Sequence, residues 1–192
     1  VKTLPANFDF GQAWQTWGRI GDMEFGSNMP MRPFMRFLMF SVGGISRKDA
    51  PLLQVVYPAT YKRYATELWK RAKLISIMDR FLDDYDVLLC PVHTTAAFKH
   101  IPPNGYFGPY SLYKKGMAVD GQLVNYWTAN ASYTCTFNLT GHPVAVMPIG
   151  QTEDGLPIGV QVVGKRWHDM ELLQVVGQLD EIVKAYKRPP GF

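Results

Sequence analysis

The run SYTCTFNLTGHPVAVMPIGQTEDGLPIGVQVVG, residues 132–164, decides the fold, because within it the pattern passes from helix to strand, turn and strand. Nothing up to Leu139 breaks a helix. Gly141 then supplies the residue that most readily adopts the left-handed conformation closing one, and Pro143 stands just beyond, where a helix cannot continue. Val144 to Ile149 and Ile158 to Val163 are short, largely β-branched apolar runs, and Glu153, Asp154 and Gly155 between them are turn chemistry, so the segment predicts a β-hairpin. In the second run Ile158, Val160 and Val162 point to one side and Gly159, Gln161 and Val163 to the other. Their small or apolar character predicts a strand covered on both faces.

Working outward, Val87 to Cys90 is a wholly apolar strand that stops at Pro91. Strands of this kind are usually buried and parallel, and the loop at the carboxyl end is where open α/β sheets place ligands. The loop Pro91 to Thr95 and the helix carrying Thr134 and Phe137, which leads directly into the hairpin, are therefore expected to face one cleft. Pro91, Val92, His93, Thr94, Thr134 and Phe137 are the candidate pocket residues. Cys90 and His93 invite comparison with a thiol and base pair, which needs a thiolate and a proton acceptor within hydrogen-bond reach. A strand-terminal cysteine is mostly a small buried hydrophobe, and no Asn or Asp follows at a recognisable spacing to orient the histidine. His93, His100, His142 and His168 lack carboxylate or cysteine partners at the spacing a metal site uses, so no metal is expected.

The remaining segments read as scaffold around that sheet. Phe10, Trp14 and Trp17 stand at helical spacing and either pack against a core they cannot complete alone or form a substrate wall. Residues 29–40, MPMRPFMRFLMF, set Arg32 and Arg36 four apart in an apolar surround, which fits a buried helix, an interfacial membrane helix or a Met-lined channel. Ser41 to Asp49 reads as a loop between helices. Asp49, Ala50 and Pro51 then open a helix in the order of cap and proline. From Pro58 to Asp84 a long helix is predicted, with Tyr61, Tyr64, Leu68, Trp69, Ala72, Ile75, Met78 and Leu82 as its apolar stripe and Lys62, Arg63, Lys70, Arg71 and Lys73 on wet faces. Residues 99–121 read as a long loop, either a lid or a surface excursion, and a helix is expected from Gln122 with Val124, Trp127, Ala131 and Cys135 along one side. Asp169 and Glu171 open a last helix whose leucines, valines and isoleucine form a continuous apolar stripe.

With 192 residues, 47% hydrophobic, 14% aromatic and 19% charged, the chain has one ordinary core and is not disordered. A net charge of +4 comes from 20 basic residues spread along the chain, which implies no nucleic-acid partner. Two cysteines without metal-ligand spacing and no signal-peptide pattern point to a reducing, cytoplasmic setting. The sequence opens on Val1 rather than Met, which leads us to expect a chain that begins partway through a longer product. The fold class expected is α/β, a mixed sheet with helices on both sides. Only three strands are legible, fewer than the usual five or six or so in a sheet, so complementary strands are expected elsewhere.

Phe137-Asn138-Leu139-Thr140-Gly141-His142-Pro143, a strand ending Pro148-Ile149-Gly150, and Gly155-Leu156-Pro157-Ile158-Gly159-Val160-Gln161 together resemble the C-terminal hallmark of the amidase signature family. Asp86, its aliphatics and Pro91 resemble the same family, whose loop at this point lies beside the active site. The likeness covers residues 60–186, is specific over 85–95 and 132–164, and is weak before residue 50. It implies hydrolysis of carboxylic amides, or transfer of ammonia to an acyl group, by a serine nucleophile, a bridging serine in a cis peptide and a lysine base. In the family those residues precede the region matched here, so none of the catalytic residues is expected in this chain. The resemblance implies that residues 1–192 are the C-terminal portion of a single amidase-type domain, with 1–50 a helical segment and 51–192 a sheet-contributing core. Its expected partners are the N-terminal half of the same enzyme and a small-molecule amide, which a Met-lined channel would make lipid-like. No cofactor is implied. A non-catalytic amidase-like binding module is the alternative, and unpaired strand edges would favour a homo-oligomer.

Overall fold

The computed structural model describes residues 7–27, 60–103, 105–107, 110–113, 116–186 and 188. In chain order the elements are α1 (Phe10–Ser27), α2 (Tyr61–Asp83), β1 (Leu88–Pro91), β2 (Gly105–Phe107), β3 (Tyr110–Leu112), β4 (Met117–Val119), β5 (Gln122–Val124), α3 (Tyr126–Thr140), β6 (Val144–Gln151), β7 (Pro157–Val163) and α4 (Asp169–Val183). The methionine-rich run 29–40, the loop 41–49 and the helix expected to open at Asp49 lie outside the described residues.

The predicted hairpin is present: β6 and β7 pair antiparallel from Val144 opposite Val163 to Gln151 opposite Pro157. Its turn is closed by Gly155, whose φ of 79° suits a residue without a side chain, and by Thr152 N–H donating to Leu156 O at 2.8 Å. A register shift at Pro148 to Gly150 accommodates the proline, which a strand interior tolerates at a bulge or an edge. β6 is such an edge, since the sheet order is β1-β7-β6. The pairing of β1 departs from the expectation for an apolar strand. It runs antiparallel to β7, and its side chains alternate between buried and exposed rather than being buried throughout. Register explains the alternation, because Leu88 and Cys90 share the face of Val163 and Gln161, while Leu89 looks the other way.

Helices cover both faces of this sheet. On one side Leu88, Cys90 and Val163 join Leu74, Ile77, Met78 and Leu82 of α2, Phe137 and Leu139 of α3, and Phe8 and Ala13 at the start of α1 in one buried cluster. On the other side Met147 and Val162 pack on Leu172 of α4, with Val176 and Leu179 partly buried beside them. The layering is that of an α/β fold.

Three helices differ in detail from the sequence reading. In α2 the buried stripe is Glu67, Leu74, Ile77, Met78 and Leu82, so Met78 and Leu82 fall where expected, whereas Tyr61 and Trp69 are exposed. The buried Glu67 is held by Arg19 of α1 at 3.2 Å and by Lys70 at 2.8 Å. Arg71 is not simply wetted, because its Nε donates to Leu139 O at 2.7 Å and satisfies a carbonyl at the end of α3. α3 starts at Tyr126 rather than Gln122, because Asn125 caps it, its Oδ1 accepting from Trp127 N–H at 2.9 Å and Thr128 N–H at 3.5 Å. It ends as predicted: Gly141 has φ 73°, and its N–H donates to Phe137 O at 2.7 Å. Residues 117–124, within and just beyond the expected loop 99–121, form the hairpin β4–β5, and β2–β3 form another, each a three-residue ladder. In α4 only Leu172 is fully buried, so the continuous apolar stripe faces outward along much of its length.

His142 joins three elements at the base of the hairpin. Its Nδ1 lies 3.0 Å from Thr140 Oγ1, and its Nε2 lies 3.2 Å from Asp79 Oδ1, in ion-pair range without hydrogen-bond geometry. Asp79 is gripped in turn by Arg166, whose Nε and Nη2 donate at 3.0 and 2.9 Å. Burial pushes the His142 imidazole below its ordinary value, the neighbouring Asp79 pulls it back up, and Arg166 adds to the lowering.

Candidate active-site cleft

β1 ends at Pro91, and the chain leaves it as an irregular loop that runs to Phe98. This loop and the β6–β7 hairpin enclose a cleft of about 780 Å³. Pro91, Val92, His93 and Thr94 all line it, as do Met147 and Gly159 from the hairpin. Thr134 and Phe137 do not. Phe137 is 1% exposed and packs edge-on against Phe10 at 6.5 Å, inside the core beneath the sheet. Thr134 Oγ1 turns back to its own helix and donates to Ala131 O at 3.2 Å.

The loop is tied to α3 by side-chain hydrogen bonds. Thr94 Oγ1 donates to Ala129 O at 2.9 Å, and His93 Nε2 lies 2.6 Å from Asn130 Oδ1. His93 Nδ1 lies 3.3 Å from both Thr95 N and Thr95 Oγ1. An orienting asparagine therefore does exist for His93, at a separation that no recognisable spacing in the sequence marks. The two residues are 37 positions apart, and only the packing of β1's loop on α3 brings them together. Gln161 Nε2 adds a third tie, donating to Pro91 O at 2.7 Å.

These contacts settle what the thiol can do. Cys90 faces the core, and burial pushes its thiol up to about 11; Cys135, likewise buried, is pushed up to about 12. A thiol so placed stays protonated at neutral pH and is a packing residue rather than a nucleophile. The floor of the cleft is adjustable. A Cβ added at Gly159 would meet Val146 Cγ1 at 3.4 Å, and Met147 O and Val92 Cγ2 at 3.5 Å, which is ordinary van der Waals contact. Among the described residues no group of three or more His, Cys, Asp or Glu is placed to hold a metal ion.

Comparison with known proteins agrees with the hairpin and the strand-end loop. The Amidase family model matches residues 45–173, and the chain belongs to that family. The match begins nearer the start of the chain than the sequence motifs alone reach. A fatty acid amide hydrolase of Oryza sativa subsp. indica is 41% identical over 56 residues, covering 29% of this chain and 9% of that protein. A 6-aminohexanoate-cyclic-dimer hydrolase of Pseudomonas sp. (strain NK87) is 31% identical over 109 residues, covering 55% of this chain and 20% of that protein. In fold, the chain is similar to a bacterial aryl acylamidase of the amidase signature family, with a TM-score of 0.64 at 17% identity over 94% of this chain and 35% of that one. The chain thus spans between about a tenth and a third of the length of these relatives.

Proposed function

We propose that this chain is the C-terminal portion of a single amidase-type domain in an amide hydrolase. It supplies three strands and one wall of the substrate pocket, while the serine nucleophile, the bridging serine and the lysine base come from an upstream part of the same enzyme. The observation that carries this reading is the cleft at the carboxyl end of β1, walled by Pro91, Val92, His93 and Thr94 in a chain of the Amidase family. An upstream source for the nucleophile fits a chain that spans 35% of a solved family member.

The roles follow from the contacts. His93 has both ring nitrogens engaged by protein groups and serves as a wall rather than as a base. Cys90 lies beneath the wall and takes no part in attack on the carbonyl. The carboxamide would sit at the loop end of the cleft, and its acyl portion would lie over Met147 and Gly159. A lipid-like amide suits that surface, and no cofactor is needed for attack by an activated serine. No helix among the described residues is long and apolar enough to cross a membrane, and the unpaired Cys90 and Cys135 suit a reducing cytoplasm.

Serine-directed fluorophosphonate labelling tests the proposal. Residues 1–192 alone are expected to give neither labelling nor turnover of short or long acyl amides, and co-expression with the upstream portion is expected to give both. Stoichiometric labelling of the isolated chain would overturn the division of labour. An upstream portion with no reactive serine would leave an amidase-like binding module.

A further inference from the structure

The hydrogen bonds between the loop after β1 and α3 assign their own protons. Asn130 Nδ2 donates to Tyr126 O at 2.6 Å and lies 3.0 Å from Met117 Sδ, and a carbonyl oxygen and a thioether sulfur can only accept. The amide orientation is thereby set, and Oδ1 must be the atom 2.6 Å from His93 Nε2. An amide oxygen only accepts, so Nε2 carries a proton. Nδ1 is then the free acceptor of a neutral ring and takes the Thr95 N–H at 3.3 Å. A proton on Nδ1 would set two donors against each other across that distance.

The surroundings give this arrangement a purpose. No Asp, Glu, Lys or Arg lines the cleft among the described residues, and its titratable linings are His93 and Cys90 alone. Phe98 lies alongside the half-buried imidazole, the ring centroids 5.6 Å apart. A charged group entering such a cleft would lose its hydration without gaining a counter-charge.

We propose that Asn130 is the positioning residue that fixes the His93 tautomer: by accepting the Nε2–H it leaves Nδ1 to take the Thr95 N–H, and the cleft, which offers no carboxylate, selects an uncharged apolar group over a cationic one. Under the amide-hydrolase reading, on which this step of the inference rests, the selected group is a neutral acyl or aryl portion of the substrate. The tautomer and the charge selection themselves need no catalysis.

The test uses the 192-residue chain with isotope-labelled histidine. Ring nitrogen resonances of His93 at pH 8 are expected to show a protonated Nε2 and an unprotonated Nδ1, with the ring N–H exchanging slowly. Asn130→Ala should speed that exchange at least tenfold, whereas Thr94→Ala, which removes the neighbouring tie, should leave it within threefold. Binding is read from backbone amide shifts of residues 91–98, with neutral phenylacetamide and cationic phenethylammonium as probes. The neutral probe should bind about tenfold tighter. A proton on Nδ1 in the unmodified chain, exchange unaltered by Asn130→Ala, or a preference for the cation would each overturn the proposal. Should Asn130→Ala fail to fold, His93→Gln against His93→Glu decides: the neutral preference should survive the first and be lost in the second, where a carboxylate offers the cation a counter-charge, and equal behaviour of the two would refute the charge selection. None of these readouts involves amide turnover, so their failure is separate from failure of the fluorophosphonate test.

Discussion

The two faces of the β1-β7-β6 sheet are built differently. Beneath it, α1, α2 and α3 close a continuous cluster that includes the fully buried Leu74, Met78, Leu82 and Phe137. Above it, α4 contributes Leu172 and two partly buried residues, and Met170 (69% exposed), Leu173 (55%) and Ile182 (78%) face outward. Single exposed apolar residues are ordinary, but a helix that turns most of its apolar stripe away from its own sheet is not. The difference teaches that the sheet's two faces contribute unequally: the lower face carries most of the buried core, and the upper face leaves an apolar stripe of α4 exposed.

The sharpest way to break this contrast is to hollow the lower face. Leu82→Ala is expected to cost about 2 to 5 kcal/mol, as for other buried leucines, read as a shift of the midpoint in urea unfolding. A cost below 1 kcal/mol would mean that the lower core is not the stabilising one. At the junction of the two faces, Gly141→Ala forces a side chain into the left-handed region and should cost roughly 1 to 2 kcal/mol in the same measurement.

His142, packed between Asp79 and Thr140, sharpens the contrast through pH. Its folded-state value lies below the ordinary 6.5, because burial disfavours the charged ring. The unfolded chain therefore takes up the proton first as pH falls. The stability that the neutral ring contributes is fully present above pH 6.5 and is lost as pH drops through the lowered folded value. Unfolding midpoints should fall between pH 7 and 5, and His142→Gln should flatten that slope. The smallest effect belongs to the upper face: Leu173→Ala is expected to change stability by less than about 0.5 kcal/mol in the isolated chain. A larger loss there would show that α4's outer stripe is already covered.

What could be read from the sequence was what local chemistry governs. Gly141, Pro143 and Gly155 each act within four residues, and the helix end and hairpin they predict are present. Asn125 was an equally local signal, a cap at the true start of α3, but the neighbouring Gln122, Leu123 and Val124 suit a strand as well as a helix, and they form β5. The phase of α2 was hidden by Tyr61 and Trp69, which have helical spacing yet stay exposed. Glu67 is buried where Lys70 and Arg19, the latter 48 positions earlier, both meet it. The direction of β1 depends on β7 across some 70 residues, beyond any periodicity. The cleft followed the same rule. Pro91 to Thr94 were legible as a strand-end loop, and Asn130 was not, since its role exists only once α3 is packed against that loop.

Gly159 gives the cleft a tunable depth. Because a methyl group there would rest against Val92, Val146 and Met147 O without clash, the residue can become alanine with its backbone undisturbed. One carbon is worth about 0.8 kcal/mol of apolar contact, roughly a fourfold ratio in binding. Alanine at this position would make the cleft floor shallower by one carbon, so its depth can be reset by one substitution.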